Sequence, residues 1–154
     1  MVITMYRKLV ARGRREDGAA LIEAAFTLPL MLFVCIGILE FGRAYQAWQV
    51  VTNASREGAR VAVLPGMDDT AVTTRVKAYL DAGALEKASV TGIVIDRNTT
   101  VSIGGTGTAS ASKVTVNYPF EFMVMQPVAQ LVVNGSTVGS ALTMTASTTM
   151  RNEN

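Results

Sequence analysis

From Ala19 to Leu39 the chain reads AALIEAAFTLPLMLFVCIGIL, apolar on every side of a helix, with Glu23 as its one charge. Twenty-one residues at about 1.5 Å of rise span about 30 Å, the thickness of a bilayer's hydrocarbon core. Beyond this run the apolar spacing narrows to one stripe. Phe41, Tyr45, Trp48, Thr52, Ser55, Ala59 and Ala62 recur three or four apart and predict continued helix with that stripe as its face. Arg43, Gln46, Asn53, Glu57 and Arg60 fall on the other side. Trp48 is expected in a core beneath the exported domain. A place for Trp48 and Tyr45 in an aromatic belt at the membrane surface is the alternative. Pro65-Gly66 ends the helix.

A second helix is predicted from Asp69 to Ala82. Asp68 and Asp69 favour its start, Gly83 closes it, and Val72, Val76, Tyr79 and Leu80 form its apolar face. The spacing then changes to alternation, which predicts strands. Ser89 to Asp96, with Val90, Ile93, Val94 and Ile95, is one, and Thr100 to Ile103 is a short second. Lys113 to Tyr118 sets Val114, Val116 and Tyr118 on one face against Thr115 and Asn117 on the other. Ala141 to Met150 alternates with Leu142, Met144, Ala146 and Met150 inward. Gly104 to Ser112 reads as a flexible loop. Phe120 to Val133 is very apolar, broken by Pro127, and too short to span a membrane. It is expected to cover the sheet as core. The other reading is an exposed patch that another protein covers.

Composition adds exclusions. The 154 residues allow one modest domain besides the apolar run. The net charge of +2, without basic residues interleaved with stacking aromatics, gives no footprint for nucleic acid. The absence of histidine removes histidine acid–base chemistry and histidine metal ligation. Cys35, the single cysteine, is expected to be a buried small hydrophobe of the run. No serine or threonine has an evident base partner, so the chain is not expected to be an enzyme, and no cofactor or metal is implied. Asp68, Asp69 and Asp81 serve better as a helix cap and surface charges than as calcium ligands. Glu57 with Arg60 and Glu40 with Arg43 are spaced for modest surface pairs.

The flanks of the run decide among three readings. A cleaved secretory signal would have a shorter apolar region and a small-residue cleavage site after it; Glu40, Phe41, Gly42 and Arg43 stand there instead. A plain anchor explains the run. With Arg7, Lys8, Arg12, Arg14 and Arg15 before it, the positive-inside rule sets this end in the cytoplasm and the bulk of the chain outside. It does not explain Glu23, since a carboxylate in a spanning helix costs about 3 kcal/mol on insertion scales. A prepilin does. Cleavage between Gly18 and Ala19 leaves an ammonium at Ala19, and Glu23 lies four residues on, on the same face. In a packed fibre that carboxylate can pair with a neighbour's new ammonium and set the register.

The stretch Arg14 to Gly66, RREDGAALIEAAFTLPLMLFVCIGILEFGRAYQAWQVVTNASREGARVAVLPG, resembles the N-terminal region of TadE-like proteins. These are pseudopilins of the tight-adherence (Tad, Flp-type) branch of type IV pilus systems. Gly18 with Glu23, Leu28-Pro29, Leu39 to Arg43 and Thr52 to Arg60 carry the likeness in order and spacing. The family's processing pattern is a glycine, four residues, then glutamate and an aromatic; here Ala24 stands in the aromatic position and Phe26 follows. The resemblance implies an α+β, pilin-like fold with a long N-terminal transmembrane helix, a second short helix and a small antiparallel sheet. It implies a leader at 1–18, a long helix at 19–64 with 19–39 in the membrane, and an exported domain at 67–154. It further implies a minor pseudopilin of the bacterial inner membrane, with the extracellular pilus as a further destination. The implied partners are a prepilin peptidase, TadF-like pseudopilins, the major Flp pilin, the inner-membrane assembly platform and membrane lipid. The alternative is an unprocessed, membrane-anchored periplasmic scaffold or binding domain of a secretion system.

Overall fold

The computed structural model describes residues 2–85, 92–105 and 107–153, with side chains described from residue 18 onward. The side chains of Arg7, Lys8, Arg12, Arg14 and Arg15 therefore lie outside the described residues, as do Ser89, Val90 and Thr106. The element order is α1 (Val2–Ala62), α2 (Asp69–Ala82), β1 (Gly92–Ile103), β2 (Gly107–Phe120), α3 (Met125–Val132) and β3 (Leu142–Arg151). The strands form one antiparallel sheet in the order β1-β2-β3, so the fold is α+β with the expected long apolar helix, short helix and small sheet. The chain divides into two compact units, Met1–Leu39 and Glu40–Asn154.

In the second unit the core lies between one sheet face and the helices. Val114, Val116 and Tyr118 of β2 point inward as their alternation predicts, with Ala146 of β3 beside them. Against them pack Val72, Val76 and Leu80 of α2 and Val51, Ala54, Ala59 and Ala62 of α1. The outer sheet face is polar: the Thr115 and Ser147 hydroxyls are hydrogen-bonded at 2.8 Å, and Thr145 donates to Asn117 at 2.8 Å. The small residues of α1 make the packing close. A Cβ on Gly58 would stand 2.5 Å from a Val76 methyl and 3.2 Å from one of Val114.

That geometry corrects the stripe read from the sequence. Ser55, Ala59 and Ala62 are buried, but Phe41 and Tyr45 are exposed and Trp48 is 43% exposed rather than in the core. The buried face runs instead through Glu40, Ala47, Val51, Ala54 and Gly58. Periodicity marked a face of large side chains; the sheet needed a face of small ones.

Helix α2 has the expected bounds. Asp68 accepts the Ala71 N–H at 2.8 Å, and Gly83 is its C-cap, although the left-handed residue is Ala84 (φ 59°). Asp69 accepts from Arg97 at 2.9 Å, and Arg97 also donates to the carbonyls of Ala62 and Met67 at 2.8 and 3.0 Å. Glu153 N–H reaches the Val63 carbonyl at 3.2 Å. The open carbonyls at the end of α1 are thus met by β1 and by the tail after β3.

The two predicted early strands are one, β1, with a register shift between Asp96 and Thr99. Asp96 stabilises it by accepting the Asn98 N–H at 2.9 Å and the Thr99 hydroxyl at 3.0 Å. These bonds, the backbone one first, hold its carboxyl below the usual carboxylate range. The expected loop at Gly104 to Ser112 is mostly strand. Gly104 and Gly105 take positive φ in the hairpin, and Gly107 to Ser110 pair with β1. Pairing overrode a composition that resembles a loop.

The Phe120 to Val133 segment departs from the core reading. Phe120 is buried, but no residue of α3 is, and Leu131 is 86% exposed. Pro127 lies in the first turn of α3, where a missing N–H breaks nothing. Leu142, expected inward, is also exposed.

Gly58→Ala should destabilise the fold by about 1–2 kcal/mol, because overpacking outweighs the gain in helix propensity. Gly42→Ala, with nothing within 4 Å of its added Cβ, should be neutral or stabilising. Thermal unfolding in detergent micelles should give a lower midpoint for Gly58→Ala than for Gly42→Ala; equal midpoints would contradict the close packing.

Candidate functional site

Two segments of α1 carry charges singled out from the sequence, Glu23 in one and Glu40 with Arg43 in the other. The first lies in the unit Met1–Leu39. Here Gly18, Ala19 and Glu23 are in helical backbone, and Ala19 and Glu23 are exposed. Leu21, Ile22, Phe26, Leu28 and Leu30 are exposed around them. Among the described residues this is the helix long and apolar enough to cross a membrane, and none of its most apolar window is buried. Such a surface is unstable in water and matched to lipid. Cys35 is likewise exposed along the run, not enclosed by protein.

Glu23 is the exception on this surface. Its carboxylate makes no hydrogen bond or ion pair among the described residues; the Thr27 hydroxyl donates at 2.9 Å to its backbone carbonyl instead. Two residues on, Pro29 is inside the helix and supplies no N–H to the carbonyl one turn back. Among the described residues the Glu23 carboxylate is exposed and without a partner.

The second segment opens the unit Glu40–Asn154. The sequence offered Glu40 and Arg43 as a surface pair, but Glu40 is only 3% exposed. One carboxylate oxygen accepts from Arg43 at 2.8 Å, and the other accepts the Val124 N–H at 2.7 Å. Arg43 lies 5.4 Å over the Phe120 ring, which meets Phe122 edge-on at 5.2 Å. Ala47, Phe120 and Met144 form a small apolar cluster there. Glu40 therefore pins the start of α3, which has no side-chain N-cap of its own, to α1. The sequence signal for it was a glutamate placed directly after an apolar run with arginine three residues on.

Other charges join elements. Glu57, expected to pair with Arg60, is 3.8 Å from it but accepts from Arg75 of α2 at 2.7 and 3.1 Å. Ser55 donates to the Thr52 carbonyl at 2.8 Å and shares a 2.8 Å bond with the Thr148 hydroxyl of β3. Neither Arg97 nor Thr148 was singled out from the sequence, since each acts only once distant segments have met.

Glu40→Ala should loosen α3 from α1 by about 2 kcal/mol, the loss of a charge-assisted bond to Val124 with an arginine that solvent partly compensates. Limited chymotrypsin digestion should cut faster after Met123 and Leu131 in Glu40→Ala, with Glu40→Gln intermediate. An unchanged rate would show that the Glu40 bond does not hold the segment.

Among known proteins, no curated protein and no solved structure matches the chain. Residues 18–60 match the family model described as TadE-like protein. The matched stretch starts at Gly18, includes Glu23 and Glu40, and ends beside the Gly58 contact, so it follows the two segments built above. Residues 18–60, a stretch of the N-terminal helix, are therefore similar to the TadE-like family of the Tad pilus system.

Proposed function

We propose that the chain is a minor pseudopilin in Tad pilus assembly, cut between Gly18 and Ala19 by a prepilin peptidase and supporting pilus biogenesis and surface adhesion. Residues 1–18 are the cytoplasmic leader, held on that side by Arg12, Arg14 and Arg15. Residues 19–39 anchor the mature chain in the inner membrane as the first part of the 19–64 helix, and 67–154 is the exported domain. Its partners are the peptidase, TadF-like pseudopilins, the major Flp pilin, the assembly platform and lipid.

The observation that carries this reading is Glu23: one carboxylate on an apolar helix, unpaired among the described residues, four places after Ala19. Cleavage at Gly18–Ala19 would free an ammonium in each subunit. A neighbour's ammonium meeting Glu23 neutralises both charges where neither can be hydrated, and it does so at one axial offset between helices. Partnership and register follow from the same pair.

A charge-assisted pair of this kind is worth about 1.5–3 kcal/mol. Glu23→Ala and Glu23→Gln should both reduce co-isolation with the other Tad pilins from native membranes on the order of tenfold, with the chain still inserted. Deleting the gene should remove surface pili and adhesion. Undiminished co-isolation of both Glu23 variants would overturn the role given to this carboxylate and favour the unprocessed scaffold.

A further inference from the structure

Between β2 and β3 the second unit leaves apolar side chains open. Met123, Leu131, Val132 and Val133 are exposed, and no residue of α3 is buried. From Phe122 through Met150 the chain carries no Asp, Glu, Lys or Arg. A water-facing surface ordinarily has about a quarter of its residues charged. The polar residues beside α3, Gln126, Gln130 and Asn134, are uncharged. The segment is nevertheless held in place: Gly139, at φ 77°, comes so near that an added Cβ would stand 2.7 Å from the Gln126 nitrogen.

Its start is placed by connectivity. The Val124 N–H is 2.7 Å from the Glu40 carboxylate, and Glu40 is the residue after Leu39, where the apolar run ends. The start of this segment is therefore within about one side-chain length of Glu40, the residue that follows the run. A protein partner ordinarily meets an apolar centre ringed by polar and charged groups. Here residues 122–150 supply no charge, Arg43 and Glu121 lie at the Met123 edge, and the apolar run ends one residue before Glu40.

We propose that α3 and its flanks, residues 123–133, are a lipid-binding element seated in the headgroup–acyl boundary of the bilayer that the run 19–39 spans. This rests on the anchor reading of that run. Seating would bury Leu131 and Val132 about 5–10 Å into the boundary and leave the glutamines at headgroup level. With no charge on the segment, zwitterionic lipid is a sufficient partner. Glu40 then links the end of the anchor to the seat, and the soluble unit meets the membrane at two places.

The test uses the full chain in phosphatidylcholine nanodiscs. A fluorescent reporter is placed on native Cys35, on Leu131→Cys in a Cys35→Ser background, or on Ser102→Cys in the same background as an exposed site on the sheet. A headgroup-region nitroxide lipid and aqueous iodide serve as quenchers. The reporters on Cys35 and Leu131→Cys should be quenched by the nitroxide lipid at least about twofold more than that on Ser102→Cys. If the Leu131→Cys reporter behaves like the Ser102→Cys one while Cys35 stays lipid-quenched, the anchor stands and the seat is wrong. If it is shielded from both quenchers, a protein covers α3 and the proposal falls. If Cys35 itself is open to iodide, the anchor reading fails and takes the proposal with it.

Discussion

Close approach to one side of α1 is the constraint on which the unit Glu40–Asn154 depends. Ala47, Ala54, Gly58, Ala59 and Ala62 place little beyond the backbone on that side, so the methyls of Val76 and Val114 can enter. Contacts from α2, β1 and β3 to the C-terminal part of α1 accompany that proximity. Arg75 reaches Glu57 because α2 lies near, and Thr148 reaches Ser55 because β3 does. Arg97 closes the end of α1 because β1 brings it to Ala62 and Met67. A larger side chain at position 58 would act on all of these at once.

Two carboxylates of the matched region, Glu23 and Glu40, differ in how they are partnered. An ionised group away from water must be paired or hydrogen-bonded. Glu40 has both kinds of partner within its own unit, from Arg43 and from the Val124 backbone, and its role is to hold structure. Glu23 has neither among the described residues. A helix can carry such a charge into an apolar medium when a partner molecule completes it, as assembly would on the proposed function. The same helix therefore holds one charge that organises the chain and one to which the proposed function gives a neighbouring partner.

Much of this was legible in the residues. The bounds of α2 follow from Asp68 and the spacing of Val72, Val76 and Leu80, and the inward face of β2 from strict alternation. The apolar run and its single glutamate are sequence facts. What was not legible depended on distant partners. Phe41, Tyr45 and Trp48 have helical spacing, but spacing does not say which face another element will cover. Ser, Thr, Ala and Gly at 107–112 read as a loop because their strand pairing is supplied by β1. Glu40 looked like a solvated charge because Val124, eighty-four residues on, is its second partner. The apolar stretch around α3 pointed to a core, and only the fold showed it outside.

The account turns on whether the apolar run becomes a mature N-terminus. The direct measurement is the intact mass and N-terminal sequence of the protein from native membranes, with and without the prepilin peptidase. The account predicts a chain beginning at Ala19 when the peptidase is present and one retaining residues 1–18 when it is absent. A chain that keeps its leader in both strains would contradict it and leave a permanently anchored domain.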